Sequence, residues 1–480
     1  MKQSVRKNYL YNLIYQVLII VLPLITTPYV SRVLTSNGVG IYSYTFSIAT
    51  YFILFGSLGI SLYAQREIAY KRDDIKKRSS TFFEVFLLRL ITMVISIIVY
   101  YFCIVKNSTY YMCYSIFTLE LVATIFDISW FFQGLEEFGK TVFRQLITKI
   151  IGVICIFTFV KNPGDLNTYI LIFVLSTLIG NLSLWFYLPA YINVKKIKKL
   201  NIVKHLRPTL SLFVPQIAMQ IYLVVDKTMI GRIINVMSEV GNYEQSQKII
   251  KISLTVVTAL GTVLAPRIAH SLAINNKRSV KIYLEKSFRF VFFMGVPIMF
   301  GLMAISSNLI PWFLGEGYEK SIKLLMLGAP LILAISLSNV TGIQYLIPAK
   351  KQDVFTKSVV IGAIVNVIVN FILIPKYASI GAILASVIAE ILIFIIQLYY
   401  IRDVIKTKTI FKDCYKNFIS GIIMFIIVGY LSIKLEPSIL NTFILIFIGG
   451  IIYVTIVMFF KDKTLEDIIK TIKKALKGGL

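Results

Sequence analysis

Unbroken apolar runs of about 20 residues, each closed by a short polar or basic cluster, follow one another along almost the whole chain. Coiled as α-helix at 1.5 Å per residue, such a run matches the roughly 30 Å hydrocarbon core of a bilayer. The pattern predicts fourteen spans, over residues 9–31, 39–65, 81–104, 110–135, 142–160, 167–192, 208–231, 249–271, 288–310, 322–347, 354–374, 381–401, 415–433 and 440–460. These are continuous Leu, Ile, Val and Phe, not ten-residue alternations, which excludes an outer-membrane barrel. The fold class expected is an all-α polytopic membrane protein with 14 transmembrane helices. The first run is too long for a signal-peptide core and lacks a small-residue cleavage site, so it is expected to be retained.

An internal repeat organises the spans. Val39-Gly40-Ile41-Tyr42 recurs as Val240-Gly241-Asn242-Tyr243, and Arg66, closing the second span, is matched by Arg267, closing the eighth. Arg32 after span one matches Arg232 after span seven, and Thr141-Val142-Phe143 resembles Asp353-Val354-Phe355. Six spans, an even number, separate the copies, so both halves share one orientation about an axis along the membrane normal. Three parts are expected: a six-helix lobe over 1–200, a second over 201–408, and helices 13–14 with a basic tail over 409–480. The tail Lys461–Leu480 reads as an amphipathic surface helix or a disordered tail. Pro23, Pro28, Pro215, Pro297 and Pro330 fall inside spans, where each removes a backbone donor and can bend its helix.

Composition agrees: 57% of residues are hydrophobic and only 15% charged, with mean hydropathy +0.79. The net charge of +27 invites a nucleic-acid reading, but its distribution defeats it. Most of the Lys and Arg lie in alternate connections, notably 66–80, 193–207 and 272–287, and in the two termini. That asymmetry puts both termini in the cytoplasm and assigns the basicity to topology and anionic lipid. Cys103, Cys113, Cys155 and Cys414 have no metal or redox spacing and read as small apolar fillers. His205 and His270 fall among lysines outside the spans and read as solvated. No phosphate loop, no GxSxG and no outer loop bearing paired acids is present, so an enzyme is disfavoured and no cofactor is expected.

Charges inside the spans carry the chemistry. Each costs roughly 2.5–3.5 kcal/mol at mid-bilayer on insertion scales. Arg89 lies well inside span three, Lys149 inside span five and Lys227 near the outer end of span seven. Lys248 and Lys251, three residues apart and so on one helical face, open span eight. Arg32 ends span one, where snorkelling to headgroups competes with a binding role, as it does for Lys248 and Arg144. The acids Glu120, Asp127, Asp226 and Glu390 are also within spans. An anionic ligand would offset a buried cation: unit charges 4 Å apart attract by about 4 kcal/mol at an effective dielectric of 20. The pattern favours a phosphate-bearing substrate over a cationic drug.

Pro28-Tyr29-Val30-Ser31-Arg32-Val33-Leu34 followed by Gly38-Val39-Gly40-Ile41-Tyr42 resembles the opening signature of the polysaccharide biosynthesis flippases of the Wzx type. These belong to the multidrug/oligosaccharidyl-lipid/polysaccharide exporter superfamily. The run from Asp127 to Glu136 is similar to the family's fourth-span motif, and Asp226–Gly231 and Gly342–Pro348 match further segments. Thr35 stands where a Gly commonly follows the Arg-Val-Leu. The resemblance implies two six-helix bundles in a V, plus helices 13–14, around a central cationic cavity lined by spans one, two, seven and eight. It implies alternating-access transfer of undecaprenyl-diphosphate-linked oligosaccharide to the outer leaflet of the bacterial cytoplasmic membrane, for capsule, exopolysaccharide or O-antigen type polymers. Arg32, Lys227, Lys248 and Lys251 would then meet the headgroup, beside Arg89 and Lys149 as further substrate-binding candidates, with Asp226 and Glu390 as ion-coupling candidates. The expected partners are that lipid-linked substrate, membrane lipids and a polysaccharide polymerase, with a monomer sufficient for the fold. A lipid II flippase, a multidrug antiporter of the same fold and a membrane glycosyltransferase or polymerase stand as alternatives.

Overall fold

The computed structural model describes residues 5–193, 200–467 and 470, and every regular element among them is helical. The predicted amphipathic tail beyond Lys470 lies outside the described residues. Among the described residues, twelve helical runs are long and apolar enough to span a membrane. The first, Val21–Tyr70, holds two of the predicted spans, and α8, described below, supplies the seventh, so the fourteen expected spans are accounted for.

The polar stretch expected to separate spans one and two is instead a one-residue break. Helix α1 runs Val5–Ser57 through Thr35, which sits alone at φ 60°, ψ 173°. The second span breaks again where the hydrophobic pattern shows no interruption. Leu58 and Gly59 both take positive φ, and α2, Ile60–Tyr70, starts in a new direction. Helix α3, Ile75–Tyr100, follows, its first turn capped by Asp74, which accepts from the Lys76 and Lys77 amides at 3.0 Å. The fourth span divides into α4, Tyr111–Ile125, and α5, Ser129–Gly134. Helices α6, Phe138–Phe159, α7, Leu166–Ser183, and α8, Leu206–Ile234, follow.

Two compact units result, one holding residues 1–231 with 236–241, the other 232–235 with 242–480. Most of helix α8 is therefore grouped with α1–α7, although the lobe boundary expected from the sequence lies before it. In the first unit, α1 packs on α3, α4 and α6, and α7 on α4 and α6. An aromatic cluster of Phe82, Trp130, Phe131 and Phe132 joins α3 to α5.

The second unit holds α9, Met237–Ala273, from Asn242 onward, and α10, Lys277–Leu314. The tenth span is broken at Ala329 into α11, Glu319–Gly328, and α12, Pro330–Thr341. Pro330 occupies the first position of α12, where its missing N–H costs nothing, so it starts a helix there and does not bend one. Then come α13, Gln352–Tyr377, α14, Ser379–Ile401, and the short α15, Thr407–Phe411. The last pair, α16, Cys414–Lys434, and α17, Ile439–Phe459, packs on α10. Tyr453 of α17 donates to the Phe293 carbonyl of α10 at 3.0 Å, and the Trp312 indole donates to Thr442 at 2.6 Å. Large apolar side chains such as Phe371, Phe447 and Phe459 point outward, as a lipid-facing surface requires. All four cysteines are unpaired thiols.

Candidate functional site: the intramembrane cations

Three residues after Arg32 the helix breaks at Thr35, and three residues after Arg232 it breaks at Asn235, with φ 60° and 56°. The repeat is thus present in backbone conformation as well as in letters. Each arginine closes a helical segment, where the carbonyl end of the helix dipole favours a cation. The recurring glycines acquire a reason here. A Cβ on Gly40 would lie 1.7 Å from the Met237 carbonyl oxygen, and one on Gly241 would lie 1.9 Å from that of Ser36. The two restarted helices cross backbone to backbone, which only glycine permits. Nearby in this unit Tyr44 lies against Gly231, and Thr228 of α8 meets Ser47 and Tyr51 of α1, each at 3.1 Å.

The cations expected from the sequence fall into two groups. Arg89 and Arg144 are 3% and 8% exposed. Nη1 of Arg89 donates to the Asp127 carbonyl at 2.7 Å and Nη2 to Ser61 at 3.3 Å. Nη1 of Arg144 donates to the Gly180 carbonyl at 2.6 Å and to Asn181 at 2.9 Å, so this side chain does not snorkel. Asn181 in turn donates to the Ala123 carbonyl at 2.7 Å, and Trp185 to that of Phe126 at 2.9 Å. The end of α4, broken in mid-span, has orphan carbonyls that lipid cannot satisfy. Asn181, Trp185 and Arg89 from neighbouring segments satisfy them. Arg89 was expected on a cavity wall; its Nη1 meets a backbone carbonyl and its Nη2 the Ser61 hydroxyl.

The fourth-span motif reads in the same structural terms. The Asp127 carboxylate accepts from the Ser129 amide at 3.0 Å and starts α5. Gly134 lies so close to α2 that a Cβ would sit 2.7 Å from the Gln65 carbonyl oxygen. Glu136 ends the turn at φ 62°.

The second group is accessible. Arg32, Lys149 and Lys251 are exposed, and Lys227 and Lys248 are half-buried on α8 and α9. Lys248 stands 3.8 Å from Glu244, one turn earlier on its own helix. Asp226 and Glu390 are both buried. In the second unit Tyr243 lies 3.3 Å from Ser386, one turn before Glu390 on α14, and Asn370 donates to Asn366 at 3.1 Å on α13. The sequence reading missed this polar seam, because uncharged residues spaced four apart in an apolar helix carry little signal. A separate cavity of about 360 Å³ lies between α10, α16 and α17. Phe293, Pro297, Leu302, Met424 and Gly450 are among its lining residues, and Ser253 is its one hydroxyl-bearing side chain besides Tyr453.

His205 overturns its reading as a solvated residue. It is 1% exposed, with Nδ1 2.7 Å from the Tyr63 hydroxyl and Nε2 2.9 Å from Glu84. A carboxylate 121 positions away in sequence supplies the partner that the lysine-rich neighbourhood concealed.

Among the described residues every regular element is helical and the spans are long and apolar enough to cross a bilayer, which defines a polytopic α-helical membrane class. The chain belongs to the polysaccharide biosynthesis protein family, which it matches over residues 5–272. The MatE family also matches, over residues 212–372. A relative from Escherichia coli (strain K12), named "Putative O-antigen transporter", is 25% identical over 407 residues, covering 84% of this chain and 98% of that protein. The lipid II flippase MurJ of Bacillus subtilis (strain 168) is 23% identical over 351 residues, covering 65% of this chain and 63% of the relative. Among solved structures, a lipid II flippase MurJ in an inward closed conformation superposes with a TM-score of 0.76 at 16% identity, covering 96% of this chain and 100% of that one. That likeness establishes the fold.

Proposed function

We propose that the chain is a flippase carrying an undecaprenyl-diphosphate-linked oligosaccharide from the inner to the outer leaflet of a bacterial cytoplasmic membrane by alternating access, with both termini cytoplasmic. The observation that carries this reading is the division among its intramembrane cations. Arg89 and Arg144 serve helix ends, whereas Arg32, Lys149, Lys227, Lys248 and Lys251 remain accessible on membrane-spanning helices. Charge at that depth is costly, and a diphosphate of opposite sign meeting the same side chains would offset part of that cost. A cationic drug would be repelled by the same side chains. The apolar cavity of α10, α16 and α17 suits a stretch of polyprenyl chain. Family membership and the transporter relatives support the same class.

An inside-negative potential would drive an anion outward by up to roughly 2.3 kcal/mol per charge per 100 mV. Asp226 and Glu390 are the candidates for ion coupling. Purified protein in vesicles holding a polyprenyl-diphosphate-linked oligosaccharide with a fluorescent sugar tests both points through the rate at which the sugar changes leaflets. Protein-dependent transfer supports the function, and transfer no faster than in empty vesicles rejects it. A proton or sodium gradient at zero potential that accelerates wild type but not Asp226→Asn or Glu390→Gln supports coupling; equal acceleration in all three removes the acids from it.

A further inference from the structure

We infer that Glu84, His205 and Tyr63 form a proton-binding latch, which ties the chain leading into α8 to helices α2 and α3 and releases it when His205 takes up a second proton. The inference is independent of what the chain carries. Both Glu84 oxygens are occupied: Oε1 accepts from the Asn201 amide and from Lys204 Nζ, each at 2.8 Å, and Oε2 faces Lys204 Nζ at 2.7 Å and His205 Nε2 at 2.9 Å. A carboxylate surrounded by donors is ionised and only accepts, so His205 Nε2 carries the hydrogen. In the neutral ring Nδ1 is then an acceptor, and Tyr63 donates to it at 2.7 Å. The latch therefore connects α3, α2 and the short turn Val203–His205 in one chain of hydrogen bonds.

The vacant proton position is Nδ1. Protonation there puts an N–H against the Tyr63 oxygen, so Tyr63 must turn its own hydrogen away and accept. The other charged groups around the site are Lys204, Lys71 at the end of α2, Glu67 paired with Lys71 at 2.8 Å, Arg66 lying 5.8 Å from the Tyr63 ring centroid, and the exposed Arg207. Glu84 is already neutralised by Lys204, so an imidazolium adds an unbalanced positive charge to a buried site bordered by cations. Burial pushes the His205 imidazole below its ordinary value, with Lys204 and Lys71 acting the same way and Glu84 opposing. The sign follows: with the folded-state pKa depressed, the latch is fully formed above the ordinary histidine value near ~6.5 and weakens as pH falls below it.

The chain's two histidines make a direct test practical. Full-length protein carrying His270→Gln, an exposed position, is labelled with ¹⁵N-histidine and placed in lipid nanodiscs. Nitrogen shifts should report the neutral Nε2–H form at pH 7.5 and a midpoint below ~6.5. Amide hydrogen exchange over 201–209, corrected for intrinsic rates, should rise by up to about tenfold per pH unit as pH falls from ~6.5 to that midpoint, and level off below it. Glu84→Gln should move the midpoint lower still. An Nδ1–H form, an imidazolium at pH 7.5, or exchange indifferent to the His205 midpoint would each overturn the latch.

Discussion

Replacing Thr35 by glycine should stabilise the protein. Thr35 stands at φ 60°, ψ 173°, a conformation essentially confined to glycine, and a β-branched side chain makes the clash worse. Strain of this kind costs ~1–3 kcal/mol. Its side chain is exposed and so contributes little packing that glycine would forfeit. Glycine costs ~0.4–1 kcal/mol through the freer unfolded chain. The difference predicts a net gain of roughly 0.5–2 kcal/mol. For a unit of this size each kcal/mol raises Tm by ~2–4 °C. The repeat-related position, Asn235 at φ 56°, carries a residue type that tolerates positive φ, so strain is expected to be concentrated at Thr35. Thermal unfolding of purified protein in detergent is the assay, with Thr35→Ala as control. Alanine keeps a Cβ and should recover much less than glycine. A Thr35→Gly protein no more stable than wild type, or an alanine variant that gains as much, would refute the strain assignment.

Gly40→Ala and Gly241→Ala should each force apart two backbones that leave a Cβ less than 2 Å, losing at least ~1–3 kcal/mol of stability and most of the transfer activity; normal melting and flipping would show that the crossing is not tight. Arg89→Leu should lower Tm through the abandoned Asp127 carbonyl, worth ~1–3 kcal/mol, while leaving substrate affinity unchanged in the folded fraction; a selective loss of affinity would return Arg89 to the binding surface. Gly450→Leu should fold, because a Cβ there meets no neighbour within 4 Å, yet it should weaken binding of the polyprenyl chain by occupying the α10–α16–α17 cavity; full affinity for long-chain substrate would exclude the cavity from tail binding.

Spans were legible because length and hydrophobicity alone decide whether a segment can cross a bilayer, and the matching glycines because Gly40 and Gly241 are constrained by one crossing. The breaks were less so. Leu58 interrupts an apolar run without any turn residue ahead of it, and only Gly59 hints at the change of direction. Thr35 hid its break by being the wrong residue type for it. Arg89 and Arg144 looked like Lys227 and Lys251, since a lone cation in an apolar run gives no sign whether it faces water or a helix end. His205 was misread for a related reason: the partners that bury it, Tyr63 and Glu84, belong to α2 and α3, far away in sequence.

The central claim is that accessible cations on α1, α8 and α9 recognise a diphosphate. Equilibrium binding of a polyprenyl diphosphate and of the matching uncharged polyprenol, to wild type and to Arg32→Ala, Lys227→Ala and Lys251→Ala proteins of unchanged Tm, tests it most directly. Wild type should prefer the diphosphate by at least about tenfold, equivalent to ~1.4 kcal/mol, and the variants should lose that preference while binding polyprenol as before. Equal affinity of wild type for the two lipids, or a preference that survives all three substitutions, would contradict the account.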